Sequence, residues 1–280
     1  MNKLGQMLIL KLALNSVFAF FMASSFAFAQ TSVAKNEKAK LPSWSNSFSL
    51  ARASNLYDQK NGTQSESLNF EWSPAVRLTP LWALSSTLAY DEDLKYQEES
   101  DFQDVPLRAS YSGFKIPNKI HFNLNLTGIF PVSKRSTKLN ELLFAGSAAL
   151  AAQLDPSLTG NWGLSAFVSL GQNFHQYETS ISGTVLNQYV SNQGIAASYS
   201  WSRIKLSAEF VHRNALSYQG SLKESFEHTE SLSLGINSAT KVSIGHTNGG
   251  SIFKANGVDS NISLLNENAS QFWMALNLAI

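Results

Sequence analysis

The sequence predicts an all-β chain: an antiparallel up-and-down barrel of about twelve strands that crosses a membrane, after a cleaved leader. Three observations carry this. Apolar and small polar residues alternate with a period of two along most of the chain beyond residue 43. The connections between the alternating segments are short and long in turn. The composition pairs 44% hydrophobic residues with only 15% charged ones, and 41 serines and 23 asparagines supply uncharged polarity instead. Soluble domains carry about 25% charged residues.

The same composition excludes several classes. A formal charge of +1 over 280 residues leaves no electrostatic footprint for nucleic acid, and the apolar content is too high for a disordered chain. With no cysteine, disulfide scaffolds and thiolate metal sites are ruled out.

Residues 1–29 carry Lys3 and Lys11 and no acid, run through an apolar stretch around Leu8 to Met22, and finish Ala27-Phe28-Ala29. That is the pattern of a secretory signal peptide cleaved before Gln30, so the protein is expected to be exported. Lys11 and Asn15 interrupt the apolar run, which argues against an anchor helix. Cleavage leaves 251 residues with 19 basic and 20 acidic groups. Residues 30–43, with Lys35, Lys38 and Lys40, are expected to form a periplasmic tail or a plug, and are too short for a passenger domain.

The barrel is assigned to residues 44–280. No uninterrupted apolar run there approaches the roughly 18–20 residues of a membrane helix. In Ile120 to Phe130, Ile120, Phe122, Leu124, Leu126, Gly128 and Phe130 share one face, while His121, Asn123, Asn125 and Thr127 share the other. Phe272, Met274, Leu276, Leu278 and Ile280 repeat the pattern at the C-terminus. The same signature predicts strands at 44–57, 66–77, 81–91, 103–112, 119–130, 141–154, 161–173, 187–200, 203–213, 228–237, 241–249 and 270–280. Short turns such as Leu78-Thr79-Pro80 and Trp201-Ser202 alternate with longer loops at 92–102, 131–140, 174–186, 214–227 and 250–269. Barrels in outer membranes sort their connections in this way.

Aromatic positions agree. Trp44, Trp82, Tyr111, Trp162, Tyr199 and Trp201 fall beside short turns, and Phe70, Tyr90, Phe130, Phe144, Tyr189, Phe210 and Phe272 fall at the opposite ends, which predicts two interfacial girdles. Leader, twelve amphipathic strands and a closing strand together resemble the Gram-negative outer-membrane β-barrel class. That resemblance implies residence in the outer membrane among lipid and lipopolysaccharide, and folding by the barrel-assembly machinery. Chains of this class usually end on an aromatic residue, whereas this one ends on Ile280. Arg52 fits poorly: continuing the parity of Phe48 and Leu50 points it at lipid. A bulge near Ala51 to Ala53 is the expected remedy, and a position near the headgroups the alternative.

The inward face is rich in Ser, Asn, Gly and Ala, with polar members such as Ser85, Asn125, Ser169, Ser207 and Asn277. Its ionisable residues are Glu71, Arg77, Arg108, His121, Lys205, Glu209 and Arg213, predicted to line the lumen. A channel selecting acidic solutes is expected to carry a basic ladder at its constriction. The scattered charges here predict instead a small, weakly selective passage for small polar solutes, or charges paired across a filled lumen.

Two loops and one cluster complete the candidates. Segment 91–104 holds Asp91, Glu92, Asp93, Glu98, Glu99, Asp101 and Asp104 against Lys95, and is expected to be a solvated external loop. The following loop carries Lys134, Arg135 and Lys138, which could meet lipid phosphates or the acidic loop. His228, Glu230, His246 and Asn248 are expected on the outer face near His212. A turn at Ser238 to Thr240 would set Leu232 against His246 and Glu230 against Asn248. Outer-membrane phospholipases and lipid A deacylases carry a His-x-Ser-Asn run, which His246-Thr247-Asn248-Gly249 partly resembles. That resemblance implies hydrolysis centred on His246, with Asn248 and Glu230. Thr247 points inward by parity, however, and Ser251 reaches the outer face only through a bulge at Gly249-Gly250. Solvated strand ends, a lipid or divalent-ion contact, and hydrolysis therefore remain the three readings of the cluster. No phosphate loop, HExxH helix or dinucleotide fingerprint is present, so neither a cofactor nor a dedicated metal site is expected. A third functional reading is a surface-recognition barrel acting through its external loops.

Overall fold

Side chains that alternate between two environments hold the backbone in strands, and here every strand finds two neighbours, so the sheet has no exposed edge. The computed structural model describes residues 44–55, 65–95, 100–254, 259–266 and 269–280. The expected leader and tail lie outside them. Fourteen strand segments among the described residues form twelve barrel strands, because two strands are each interrupted once. They are β1 (Trp44–Asn55), β2 (Glu66–Arg77), β3 (Trp82–Ser86 and Leu88–Asp93), β4 (Asp101–Phe102 and Val105–Ile116), β5 (Ile120–Phe130) and β6 (Leu142–Leu154). The second half comprises β7 (Trp162–His175), β8 (Asn187–Trp201), β9 (Ile204–Ser217), β10 (Leu222–Gly235), β11 (Thr240–Ser251) and β12 (Gln271–Ala279).

Each strand pairs antiparallel with the next, and β12 returns to β1 with Ser47 opposite Ala279 and Asn55 opposite Gln271. The barrel is therefore closed and up-and-down, as expected. In β3 the interruption is at Thr87, whose hydroxyl lies 3.0 Å from that of Ser73 on β2. The register against β2 is unchanged on either side of it.

Register separates two surfaces. Leu50, Phe70, Leu206, Leu232, Ile244 and Met274 lie on the outside and are all exposed. In water such a band would be a large aggregation surface; in hydrocarbon it is the matching solvent. Toward the inside, Ala149 and Ser169 are fully buried, and the Ser233 and Ser243 hydroxyls hydrogen-bond at 2.9 Å. Both aromatic girdles are present. Beside the short turns Trp82 meets Tyr111 at 4.9 Å and Trp162 meets Tyr199 at 5.0 Å between ring centroids. At the other ends Tyr90 meets Phe102 at 5.1 Å, and Phe144 meets both Phe130 and Phe174.

Several local expectations need correction. Segment 214–227 is mostly strand: β9 runs to Ser217, β10 starts at Leu222, and the turn closes through the Ser217 amide donating to the Ser221 carbonyl at 2.9 Å. Here Asn214 and Glu224 interrupt the outward apolar set of Leu216, Leu222 and Phe226, so the period-two signal weakens while backbone pairing continues. β4 passes residue 112 to reach Ile116, because the register shifts between Tyr111 and Phe114 and exchanges the two faces. Gly113 leaves room there for the Tyr111 side chain, whose hydroxyl would lie 2.1 Å from an added Cβ.

Arg52 is not rescued by a bulge. The β1 register is continuous against both neighbours, and Arg52 stays on the outer face, where its guanidinium donates to Glu66 at 2.7 Å. Part of the acidic segment is not loop either: Asp91 and Asp93 belong to β3 and Asp101 to β4. Loop 131–141 contains one π-helical turn, Arg135–Leu139. The Asp104 carboxylate pins it by accepting from the amides of Val132 and Ser133, each at 3.0 Å, and from the Ser136 hydroxyl. The two loops thus meet mainly through backbone donors, with the Lys134 ammonium donating to the Ser100 carbonyl at 3.0 Å.

Candidate solute passage and outer-face histidine cluster

Register sets the charged residues expected to line the lumen on the face opposite the apolar band. Glu71 lies opposite Ser49 and Ala89, Arg108 opposite Thr127 and Ser85, Glu209 opposite Ala196 and Thr229, and Arg213 opposite Asn192 and Ser225. Lys205 is near the short-turn end, opposite Ser200 and Ser233, and Arg77 ends β2 opposite Ala83. His121 has inward parity but sits at the rim, where its Nε2 is 2.7 Å from the Asp155 carboxylate in the β6–β7 turn.

Further charges share this face. Asp91, Asp93 and Asp101 were hidden in what read as loop, and so were Glu227, opposite Val211, and Lys223, opposite Ala215. Lys115 faces His121 beyond the β4 bulge, and Lys241 faces Asn277. The charges are sorted along the axis. Arg77, Lys115, Lys205 and Lys241 all lie within two residues of a short turn, while Asp91, Asp93 and Asp101 lie at the far end with Arg213 and Lys223. Among the described residues no ion pair joins Glu71, Arg108 or Glu209 to an opposite charge. Arg213 instead donates from Nε to Asn192 at 2.9 Å, and Asp91 accepts from Asn69 at 2.7 Å and Gln103 at 2.6 Å. Cross-lumen ion pairing, one of the two readings of these charges, therefore does not describe those three.

Two large inward rings are laid flat along the wall. Phe167 covers Gly194 and Trp273 covers Gly245, where an added Cβ would sit 2.3 Å from each ring. Trp273 also donates from Nε1 to the Thr247 hydroxyl at 3.2 Å. Glycine opposite each aromatic keeps its bulk against the sheet.

The outer-face cluster differs from expectation by two residues of register. The β10–β11 turn spans Ile236 to Ala239, with the Asn237 side chain accepting from the Ala239 and Thr240 amides at 2.8 Å. This longer turn sets Glu230 directly opposite His246 and His228 opposite Asn248. Glu230 Oε2 is 2.9 Å from His246 Nδ1, and its Oε1 is 3.6 Å from His228 Nε2. His212 shares the face but lies opposite Phe226, whose ring stacks on His228. Asn248 is fully buried and donates to the Ser263 carbonyl at 2.7 Å, so the loop before β12 lies over this part of the wall. The two imidazoles are largely buried, while the Glu230 side chain is 45% exposed.

No bulge occurs at Gly249-Gly250. Register runs unbroken to Ser225 opposite Ser251, which leaves Ser251 on the inner face, and Thr247 bonds there to Thr229 at 3.0 Å. Among the described residues no hydroxyl hydrogen-bonds His246, so the nucleophile that general-base activation needs is missing.

Comparison with solved structures places this architecture. An outer membrane channel from Pseudomonas putida F1 superposes with a TM-score of 0.60 at 9% identity, covering 85% of this chain and 95% of that one. The NanC porin gives 0.55 at 9% identity over 84% and 98%, and the KdgM porin in complex with disordered oligogalacturonate gives 0.51 at 8% over 83% and 98%. The fold is that of the outer-membrane porins. No family model matches the sequence, and neither does any curated protein. At such low identity the shared property is the fold itself, a closed antiparallel barrel.

Proposed function

We propose that this protein is an outer-membrane channel for small polar solutes with weak charge selectivity. The observation that supports it best is a closed barrel whose inner face is hydrophilic through Ser, Asn and Thr, with Glu71, Arg108 and Glu209 bearing charge without ion-pair partners among the described residues. Charges that must be desolvated and left unpaired are expensive, so their presence favours a water-filled interior. Among the described strand residues seven inward cations (Arg77, Arg108, Lys115, Lys205, Arg213, Lys223, Lys241) face six inward anions (Glu71, Asp91, Asp93, Asp101, Glu209, Glu227), a near balance that leaves little for selection. The KdgM porin was solved with oligogalacturonate. In this chain a polyanion would meet Asp91, Asp93 and Asp101 at the loop end of the lumen, which favours small solutes of low charge.

The leader 1–29 delivers the chain to the periplasm, residues 30–43 remain there as a tail, and the barrel-assembly machinery inserts residues 44–280 among lipid and lipopolysaccharide. Planar-bilayer recording of the purified barrel tests the channel: discrete ohmic conductance steps are expected, and a folded barrel that passes no ions refutes it. Hydrolysis at His246 is the weaker reading because no hydroxyl among the described residues hydrogen-bonds the imidazole.

A further inference from the structure

We infer that His228, Glu230 and His246 form a binding site for a divalent transition-metal cation of the zinc class on the outer wall of the barrel. Their donor atoms all lie within 4.8 Å of one another. Zinc binds imidazole nitrogen and carboxylate oxygen at about 2.0–2.2 Å, which in a tetrahedral shell separates neighbouring donors by about 3.3 Å. Glu230 spans this spacing already, with Oε1 3.6 Å from His228 Nε2 and Oε2 2.9 Å from His246 Nδ1. Strand geometry explains the convergence. Residues 228 and 230 share a face two positions apart, and His246 is the direct cross-strand partner of Glu230.

A second observation is independent of spacing. The His228 side chain is only 8% exposed, yet its Nε2, the nitrogen nearest Glu230, lacks a hydrogen-bond partner among the described residues, as does Oδ1 of the fully buried Asn248 opposite it. A buried imidazole nitrogen left unsatisfied is costly, and this one, set beside Glu230 and His246, calls for a ligand. Two nitrogens, one carboxylate and no thiolate suit zinc, nickel or copper rather than calcium or magnesium. The Glu230 side chain is 45% exposed, which provides the entry path and leaves a further coordination position open to water. The flanking rings fix the imidazoles: Phe226 stacks on His228 with an interplanar angle of 9°, and Phe272 contacts His246 at 5.1 Å. A bound ion would clamp β10 to β11 at the level of the girdle aromatics Phe210 and Phe272. The inference is independent of whether the lumen conducts.

The test is a chelator-buffered zinc titration of the purified, detergent-folded barrel after chelator stripping. One equivalent is expected. His228→Ala and His246→Ala should weaken binding by about 100-fold or more and Glu230→Gln by about 10- to 100-fold, while His212→Ala, on the same face but opposite Phe226, should bind as wild type. Cobalt substituted into the wild type should give visible d–d bands that His246→Ala lacks. Zinc should also raise the wild-type unfolding midpoint in a concentration-dependent way. His228→Gln, which keeps a polar side chain, replaces His228→Ala if the latter does not fold. Absence of stoichiometric zinc binding by the folded wild type overturns the site, and so does an equal loss in His212→Ala.

Discussion

Arg52 is the residue whose environment best reports where the hydrocarbon ends. It lies on the outer face eight residues beyond Trp44 along β1. At about 3.3 Å per residue and a strand tilt near 40°, its Cα stands about 20 Å above the short-turn girdle, in an apolar band about 25 Å tall. An arginine facing lipid costs about 2–4 kcal/mol at midplane and about 0–1 near the interface, so at about 5 Å below the upper edge an uncompensated Arg52 should cost about 1–2 kcal/mol. Glu66 compensates it: the carboxylate is 2.7 Å from the guanidinium and its side chain is 22% exposed, against 63% for Arg52. Glu66→Leu should therefore destabilise the barrel by about 1–2 kcal/mol, whereas the double substitution Arg52→Leu with Glu66→Leu should be close to neutral, because an apolar pair suits lipid. The assay is reversible denaturant unfolding from phospholipid vesicles, followed by tryptophan fluorescence, for the two single variants and the double. A coupling of about 1–2 kcal/mol is expected. Effects that add to within about 0.5 kcal/mol would refute the placement, since a pair in water couples only weakly.

Three further outcomes are expected. Gly245→Ala should cost about 2–3 kcal/mol in the same unfolding assay and more than Gly194→Ala, because the new Cβ meets the Glu230 carbonyl oxygen at 2.7 Å besides the Trp273 ring, whereas at Gly194 only the movable Phe167 ring obstructs it. Hydrogen bonds from Ser157, and then His121, hold the Asp155 carboxyl down at about 2 from its ordinary 3.8. A depressed carboxyl stabilises the fold above its unfolded value and loses that contribution as it protonates, so the stability difference between wild type and Asp155→Asn should shrink as pH falls from 3.8 toward 2. Lys205→Glu with Lys241→Glu leaves five inward cations against eight anions and should move the reversal potential in a salt gradient toward cation preference; an unchanged potential would remove these lysines from the ion path.

Period-two alternation was enough to find twelve strands, their inward and outward faces and both aromatic girdles, because one face of each strand must match hydrocarbon and the other must not. Inside the band, the parity of Glu71, Arg108, Lys205, Glu209 and Arg213 could be read directly. It failed wherever that demand lapses. Toward the far ends of β9 and β10, where Asn214 and Glu224 break the outward apolar set, Glu227 and Lys223 could not be recognised as inward. At Tyr111 to Phe114 one inserted residue exchanged the faces, and at Asp91 to Asp101 charge density suggested loop where backbone pairing persists.

The sequence by itself thus determined the solvent on each side of the wall. Tertiary structure decided register, because register depends on how a turn closes and composition does not encode that. Two residues of slip, set by the Asn237 side chain in the β10–β11 turn, moved His246 from opposite Leu232 to opposite Glu230, and only there do two imidazoles and a carboxylate converge.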